Sequence, residues 1–422
     1  MSSGMLEELR TLAGSGKLAA TNVRSAAWKI FMGLLPADQP ASAWSALLGA
    51  ARAEYAALNA KYGEDPTDAE DQDLLTHNPL SLAPESSWTK AHESAKLRAE
   101  IEKDLSRLHP TGCEEYFEES PDAHEQMLAV LFVWSSENAD TSYRQGMHEV
   151  LAPIVYVLRE EALDEGGDVA QLVMGKAHVE ADAYLLFCKV MLELKPLYKV
   201  ESRDEARARA TARSKGVEVP SLPVGQLAQR VQHDLCKRAD PALYKCMANL
   251  CIEPQLYCLR WSRLLFAREF HMDDVLLLWD GMFAAGCAQP SPSASAAAAA
   301  PSTRSASSAL VRGARRMRRT LVDSIALLAL AMVTFVREFI IKCSEQSDFS
   351  RGLKRLMNYP PVEDVAVLSR RAREFAFLVD DPSAVVAEAD APGGASAAAK
   401  KKAAQQAKAK AKAKAAQQAQ AA

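Results

Sequence analysis

Apolar residues in this chain recur at helical spacing in one segment after another, and strand-like alternation is nearly absent. Asn22 to Pro36 carries Val23, Trp28, Ile30, Phe31, Leu34 and Leu35 and is stopped by proline. Further helical patterns run over 41–62, about 87–108, 122–138, 150–159, 182–193, 227–238, 254–266 and 273–283. A chain of 422 residues with this periodicity has enough apolar surface for a substantial core, and the expected class is all-α.

Three stretches break the pattern. Residues 202–223 are rich in Arg, Ala, Ser and Pro, and about 288–310 are almost wholly Ser, Ala and Pro. Neither composition builds a core, so both read as disordered insertions. Residues 387–422 form an Ala/Lys/Gln tail without an apolar stripe. Seven of its lysines offset an acidic body: with them set aside, the net charge of −4 becomes −11. That balance excludes a nucleic-acid-binding body and leaves the tail, at most, a peripheral contact with anionic membrane.

The eight cysteines contain no Cys-x-x-Cys pair and fall mostly within apolar helical patterns, as reduced thiols do. No signal peptide is evident. The most apolar run, Ile325 to Val336, is far short of the roughly 20 residues a bilayer requires. A cytoplasmic protein is the expectation. Ala13-Gly14-Ser15-Gly16-Lys17 suggests a phosphate-binding loop and fails as one, because Leu18 stands where Ser or Thr should meet magnesium.

Chemistry concentrates in Tyr143-Arg144-Gln145-Gly146-Met147-His148-Glu149, between a polar loop and an apolar run. Gly146 permits backbone angles closed to other residues, so Gln145 reads as an amide presented at a loop tip or helix entry. Upstream, Ile101-x-x-Asp104-x-x-Arg107 sets an arginine near a helix end before Pro110, with Asp104 three residues away and able to pair with it. Singly, these read better as a surface ion pair and a plain turn. Together they are what a protein supplies to complete another protein's phosphoryl-transfer site. A later block, Arg260-Trp261 through Arg268-Glu269-Phe270 to Trp279-Asp280, is mostly core at helical spacing. Its charged members cannot be buried unpaired and are expected to form ion pairs behind the loops, as is Arg24 beside Trp28.

Arg24-x-x-x-Trp28, Ile101-x-x-Asp104-x-x-Arg107, Tyr143-x-Gln145-Gly146-Met147 and the Arg260-Trp261 to Trp279-Asp280 block follow one another in an order that resembles the TBC domain of Rab GTPase-activating proteins. Gln145 to Ile154, Asp182-Ala183-Tyr184, Asp240-Pro241-x-Leu243-Tyr244 and Tyr359 to Val365 are most similar to the member 5 type of that family. The resemblance spans about 18–370, leaving 1–17 as a lead-in and 371–386 as a short extension. It implies a multi-helix domain in which Arg107 and Gln145 are the catalytic pair, supported by Asp104, Tyr143 and Gly146. It further implies a Rab-family GTPase in its GTP form as partner, with GTP and Mg²⁺ carried by that partner and no cofactor of the chain's own. Endosomal retrieval or autophagy proteins are implied as further partners, in vesicle trafficking. One departure stands out: the family usually reads Arg-Thr-Phe-Pro where this chain has Arg107-Leu108-His109-Pro110, which on that comparison loosens the arginine loop.

Overall fold

Helices α1 (Ser3–Ser15), α2 (Arg24–Phe31), α3 (Ala41–Gly63), α4 (Ser87–Leu105), α5 (Glu114–Glu118), α6 (Pro121–Glu137), α7 (Met147–Glu160), α8 (Asp168–Met174) and α9 (Val179–Leu194) follow in chain order; α2, α3, α4, α6, α7 and α9 fall on the apolar patterns of the sequence, whereas the short α5 and α8 do not. They belong to a computed structural model that describes residues 3–63, 86–214, 221–286, 319–343 and 348–385. Among the described residues there is no strand, only an isolated bridge between Leu163 and Gly175. The all-α expectation holds.

Residues Met1–Gln226, Leu259–Ile325 and Pro361–Arg370 form one unit. Its centre is the pair α7 and α9, which pack on each other, with α6 against both. Both are apolar nearly all round: Val150, Leu151, Ile154 and Val155 on α7, and Ala183, Leu185, Leu186 and Phe187 on α9, are at most 1% exposed. Helices of that kind are stable only when enclosed. Charge enters this core in paired form. Asp182 on α9 takes Lys29 Nζ at 2.7 Å and a two-pronged bond from Arg52 at 2.7 and 2.8 Å. Burial lowers the Lys29 pKa, with Asp182 opposing the shift.

Four boundaries differ from the sequence reading. The lead-in is not separate: α1 packs on α15 (Met272–Gly286), burying Leu6 and Ala13. The 202–223 segment, expected to be disordered, is helical over α10 (Arg203–Ser214). Its start is a capping box, in which Ser202 Oγ accepts from Glu205 N and Ser202 N donates back to Glu205 Oε2. Helix α7 starts at Met147, three residues before the 150–159 pattern, which puts Pro153 in its second turn. Residues 371–386 are no plain extension, since α19 (Ala366–Glu374) and α20 (Phe377–Asp380) run through them, with Phe375 and Leu378 buried. The 288–310 insertion and the 387–422 tail lie outside the described residues.

The second unit comprises Leu227–Cys258, Ala326–Pro360 and Arg371–Ala422. After α11 (Pro223–Gln229) the chain forms a π-helical turn over Arg230–Cys236 where a plain helix was expected. Gln232 in that turn donates to the Ile252 carbonyl at 2.8 Å and accepts from the Tyr257 hydroxyl at 2.9 Å. Short α12 (Lys237–Ala239) precedes α13 (Pro241–Asn249), which Asp240 caps by accepting from Leu243 N while pairing with Arg337. Helices α14 (Gln255–Arg263), α16 (Leu321–Phe335), α17 (Arg337–Lys342) and α18 (Phe349–Met357) complete the set. Among the described residues no helix is long and apolar enough to cross a membrane.

Candidate functional site

Helix α4 ends sooner than its sequence pattern suggests. Ile101 and Leu105 anchor its last turn in the core, and Ser106 N closes it on Glu102 O. Arg107 N and Leu108 N then make turn bonds to Asp104 O and Leu105 O, so Arg107 stands outside the helix. It is exposed, and its guanidinium has no hydrogen-bond or ion-pair partner among the described residues. The expected Asp104–Arg107 pair is absent for that reason: beyond the helix end, three residues of separation no longer put two side chains on one face. The loop is nevertheless held. Leu108 is 6% exposed, His109 Nδ1 lies 3.0 Å from Glu118 Oε1, and Met272 N ties the loop to the start of α15 through Thr111 O.

The glutamine loop arrives from the other side of the core. Tyr143 is buried, Arg144 and Gln145 are exposed, and Gly146 turns the chain into α7 at φ 101° and ψ −17°. A Cβ on Gly146 would lie 2.6 Å from Leu264 Cδ2, so both backbone angle and close approach demand glycine here. The Gln145 amide, like the Arg107 guanidinium, has no partner among the described residues.

One hydroxyl joins the two loops. Tyr143 Oη lies 2.9 Å from Asp104 Oδ2 and 2.7 Å from His148 Nδ1. Next along α7, Glu149 Oε2 accepts from Arg268 Nε at 2.6 Å, and Arg260 grips Glu269 with two bonds of 2.7 and 2.9 Å. Burial drives the titration of this group. It pushes the His148 pKa down to about 4, keeping the ring neutral, and raises those of Glu149 and Glu269 against the pull of their arginines. Arg107, His109, His148, Glu149, Arg260 and Arg268 line a cavity of about 310 Å³ beside the arginine loop. Among the described residues, two of its three arginines are paired to carboxylates and Arg107 is not.

The remaining motif residues build what lies behind. Asp280, fully buried, receives Arg24 Nε at 3.0 and 3.1 Å and Trp28 Nε1 at 2.8 Å. Its pKa is raised to about 6 by burial, with Arg24 and Trp28 opposing. Trp28, Trp279 and Phe283 form an aromatic cluster with ring centroids 5.2–5.9 Å apart. Trp261 is fully buried, and Trp279 Nε1 holds the carbonyl of Leu265. Leu265 and Phe266 are both left-handed (φ 46° and 64°), and this strained turn delivers Arg268 and Glu269. His148 and Glu149 were not singled out from sequence as site members. Their signal was position: both sit in the first turn of α7, three and four residues after the presented glutamine.

Residues 21–299 match the family described as the Rab-GTPase-TBC domain. The chain is 30% identical to TBC1 domain family member 5 of Homo sapiens, over 88% of this chain and 43% of that protein. Identity to TBC1 domain family member 5 homolog B of Dictyostelium discoideum is 26%, over 87% and 41%. Against TBC1 domain family member 13 of Mus musculus it is 22%, over 88% and 94%. The chain thus spans less than half the length of the member 5 relatives. The crystal structure of the Ypt/Rab-GAP domain of Gyp1p aligns with a TM-score of 0.56 at 16% identity, covering 89% of this chain and 93% of that one, a likeness of fold. The family match takes in the Arg107 and Gln145 loops and the Arg24–Trp28–Asp280 cluster alike, and the chain belongs to the Rab-GTPase-TBC domain family.

Proposed function

We propose that this chain is a GTPase-activating protein for a Rab-family small GTPase, lending Arg107 and Gln145 in trans to the partner's nucleotide. The observation that carries the reading is their shared state. Each is exposed, each lacks a side-chain partner among the described residues, and the loops bearing them are tied through the Tyr143–Asp104 bond. Charged and amide groups left free on otherwise pinned loops suit a task performed on another molecule. Arg107 neutralises charge building on the β- and γ-phosphates as the bond breaks, and Gln145 orients the attacking water. GTP and Mg²⁺ come with the partner, and the chain needs no cofactor of its own. The setting proposed with it is vesicle traffic at endosomal membranes, as the sequence resemblance to the member 5 type implies.

The test is single-turnover GTP hydrolysis across a panel of Rabs with wild type, Arg107→Ala and Gln145→Ala. An arginine finger is worth roughly 10³ to 10⁵ in rate, about 4 to 7 kcal/mol of barrier. A loss on that scale is expected for Arg107→Ala, with a substantial loss for Gln145→Ala. Variants that match wild type refute the dual-finger mechanism. Stimulation of no Rab at all, with endosomal retrieval or autophagy proteins still bound, leaves a scaffold in its place.

A further inference from the structure

Proton counting at the junction of the two loops assigns a role to a residue outside the finger pair. The Tyr143 hydroxyl has one hydrogen to give and two neighbours within bonding distance, Asp104 Oδ2 at 2.9 Å and His148 Nδ1 at 2.7 Å. A carboxylate only accepts, so the phenol hydrogen goes to Asp104. Sending it to His148 instead would leave two oxygens facing each other at 2.9 Å with nothing between them. Burial and the nearby Asp104 both raise the phenol pKa, so Tyr143 keeps that hydrogen. His148 Nδ1 must then be the donor to the Tyr143 oxygen. Its ring is neutral, because burial lowers its pKa, and so its single hydrogen sits on Nδ1 and Nε2 is bare. Nε2 lies 3.7 Å from Glu149 Oε1, beyond hydrogen-bond distance, so no bond at that nitrogen competes with the one at Nδ1.

We propose that His148 is a positioning residue for GTP hydrolysis, its Nδ1–H fixing the Tyr143 hydroxyl on Asp104 and thereby the spacing between Arg107 and Gln145. Asp104 is three residues before Arg107 and Tyr143 two before Gln145, so the His148–Tyr143–Asp104 relay is the hydrogen-bonded link between the loops. Without the imidazole donor the hydroxyl loses one of its two constraints. The loops then drift relative to each other while the surface that meets the GTPase stays. This inference rests on the Rab-activating reading above and adds to it a residue that acts through Tyr143 and Asp104.

Three variants separate positioning from mere packing. His148→Asn keeps an N–H close to the place of Nδ1, His148→Leu fills the volume without a donor, and Tyr143→Phe removes the shared hydroxyl but keeps the ring. With a stimulated Rab, His148→Leu and Tyr143→Phe are expected to lower kcat about tenfold or more with KM little changed, since a 1 Å misplacement alone costs up to about 10²-fold. His148→Asn is expected to retain most of the activity. In a Gln145→Ala background His148→Leu should add little, because the group it positions is gone. Equal losses in the Asn and Leu variants, full activity of Tyr143→Phe, or an additive loss on top of Gln145→Ala each overturn the proposal. A second readout needs no Rab: imidazole ¹⁵N shifts of His148 in the full chain should show Nδ1 protonated and Nε2 bare. A protonated Nε2 overturns the relay even if hydrolysis is stimulated. The expected tautomer in a chain that stimulates no Rab removes the function and, with it, the positioning role.

Discussion

Replacing Gly146 by alanine tests the site at its tightest point. At φ 101° an L-residue is strained, by about 1–2 kcal/mol for left-handed backbone. The new methyl also meets Leu264 Cδ2 at 2.6 Å, and Leu264 is packed, at 7% exposed. Overpacking of this kind costs about 1–3 kcal/mol, so the total is roughly 2–5 kcal/mol. That strain has an easy outlet. The Leu264 side is held by core contacts, whereas Gln145 next door has no partner among the described residues, so the loop moves before the core does. Stimulated hydrolysis is therefore expected to fall about 10²-fold, with a drop in Tm of only a few degrees. Single-turnover hydrolysis beside thermal melts reads both. A second substitution locates the cause: Leu264→Ala removes the obstructing atom but not the backbone strain. Combined with Gly146→Ala, it should recover part of the loss, with a coupling of about 1–3 kcal/mol. Wild-type hydrolysis by Gly146→Ala, or strict additivity in the double variant, refutes the reasoning.

Two further substitutions probe the supports behind the loops. Arg24→Ala leaves Asp280 buried with only the Trp28 N–H, an uncompensated charge worth about 3–5 kcal/mol of lost stability near neutrality. The Asp280 pKa in the fold, about 6, lies above its ordinary value of 3.8, so its contribution to stability is fully present below about pH 4 and is lost as pH rises through 6. Without Arg24 the folded value rises further, and denaturant unfolding should show a smaller deficit at pH 5 than at pH 7.5; equal deficits count against the assignment. Leu108→Ala removes the buried anchor of the arginine loop, with an expected loss of about 2–4 kcal/mol and weaker stimulation per folded molecule. Unchanged stimulation by the folded fraction would mean the Thr111–Met272 and His109–Glu118 contacts hold the loop alone.

Most helices were legible because burial of one stripe or of a whole helix leaves its mark in the spacing of apolar residues, as in α6, α9 and α15. The misreadings came where local signals compete. Ser202 to Glu205 looked like polar filler, yet the same residues make a capping box, and the Ala- and Arg-rich run behind them has high helix propensity. The lead-in was set apart from the domain because what it packs on, α15, lies some 260 residues away in sequence.

At the site, the split between legible and hidden has a physical cause. Arg107 and Gln145 stood out because a presented side chain depends on local features: a helix end in one case, a left-handed glycine in the other. The groups that hold them depend on docking between distant segments, which spacing does not encode. Asp104 illustrates this. From sequence its natural partner was Arg107, three residues on; in the fold the arginine has left the helix and Asp104 is taken by a hydroxyl 39 residues away. The exchange favours the proposed chemistry. An arginine paired to its own aspartate would have to break that bond before meeting a phosphate, whereas the Tyr143 hydroxyl occupies the aspartate and leaves the guanidinium free. The carboxylate that spacing offered as the arginine's partner is thus bound to the other loop, and the proposed catalysis in trans depends on that separation.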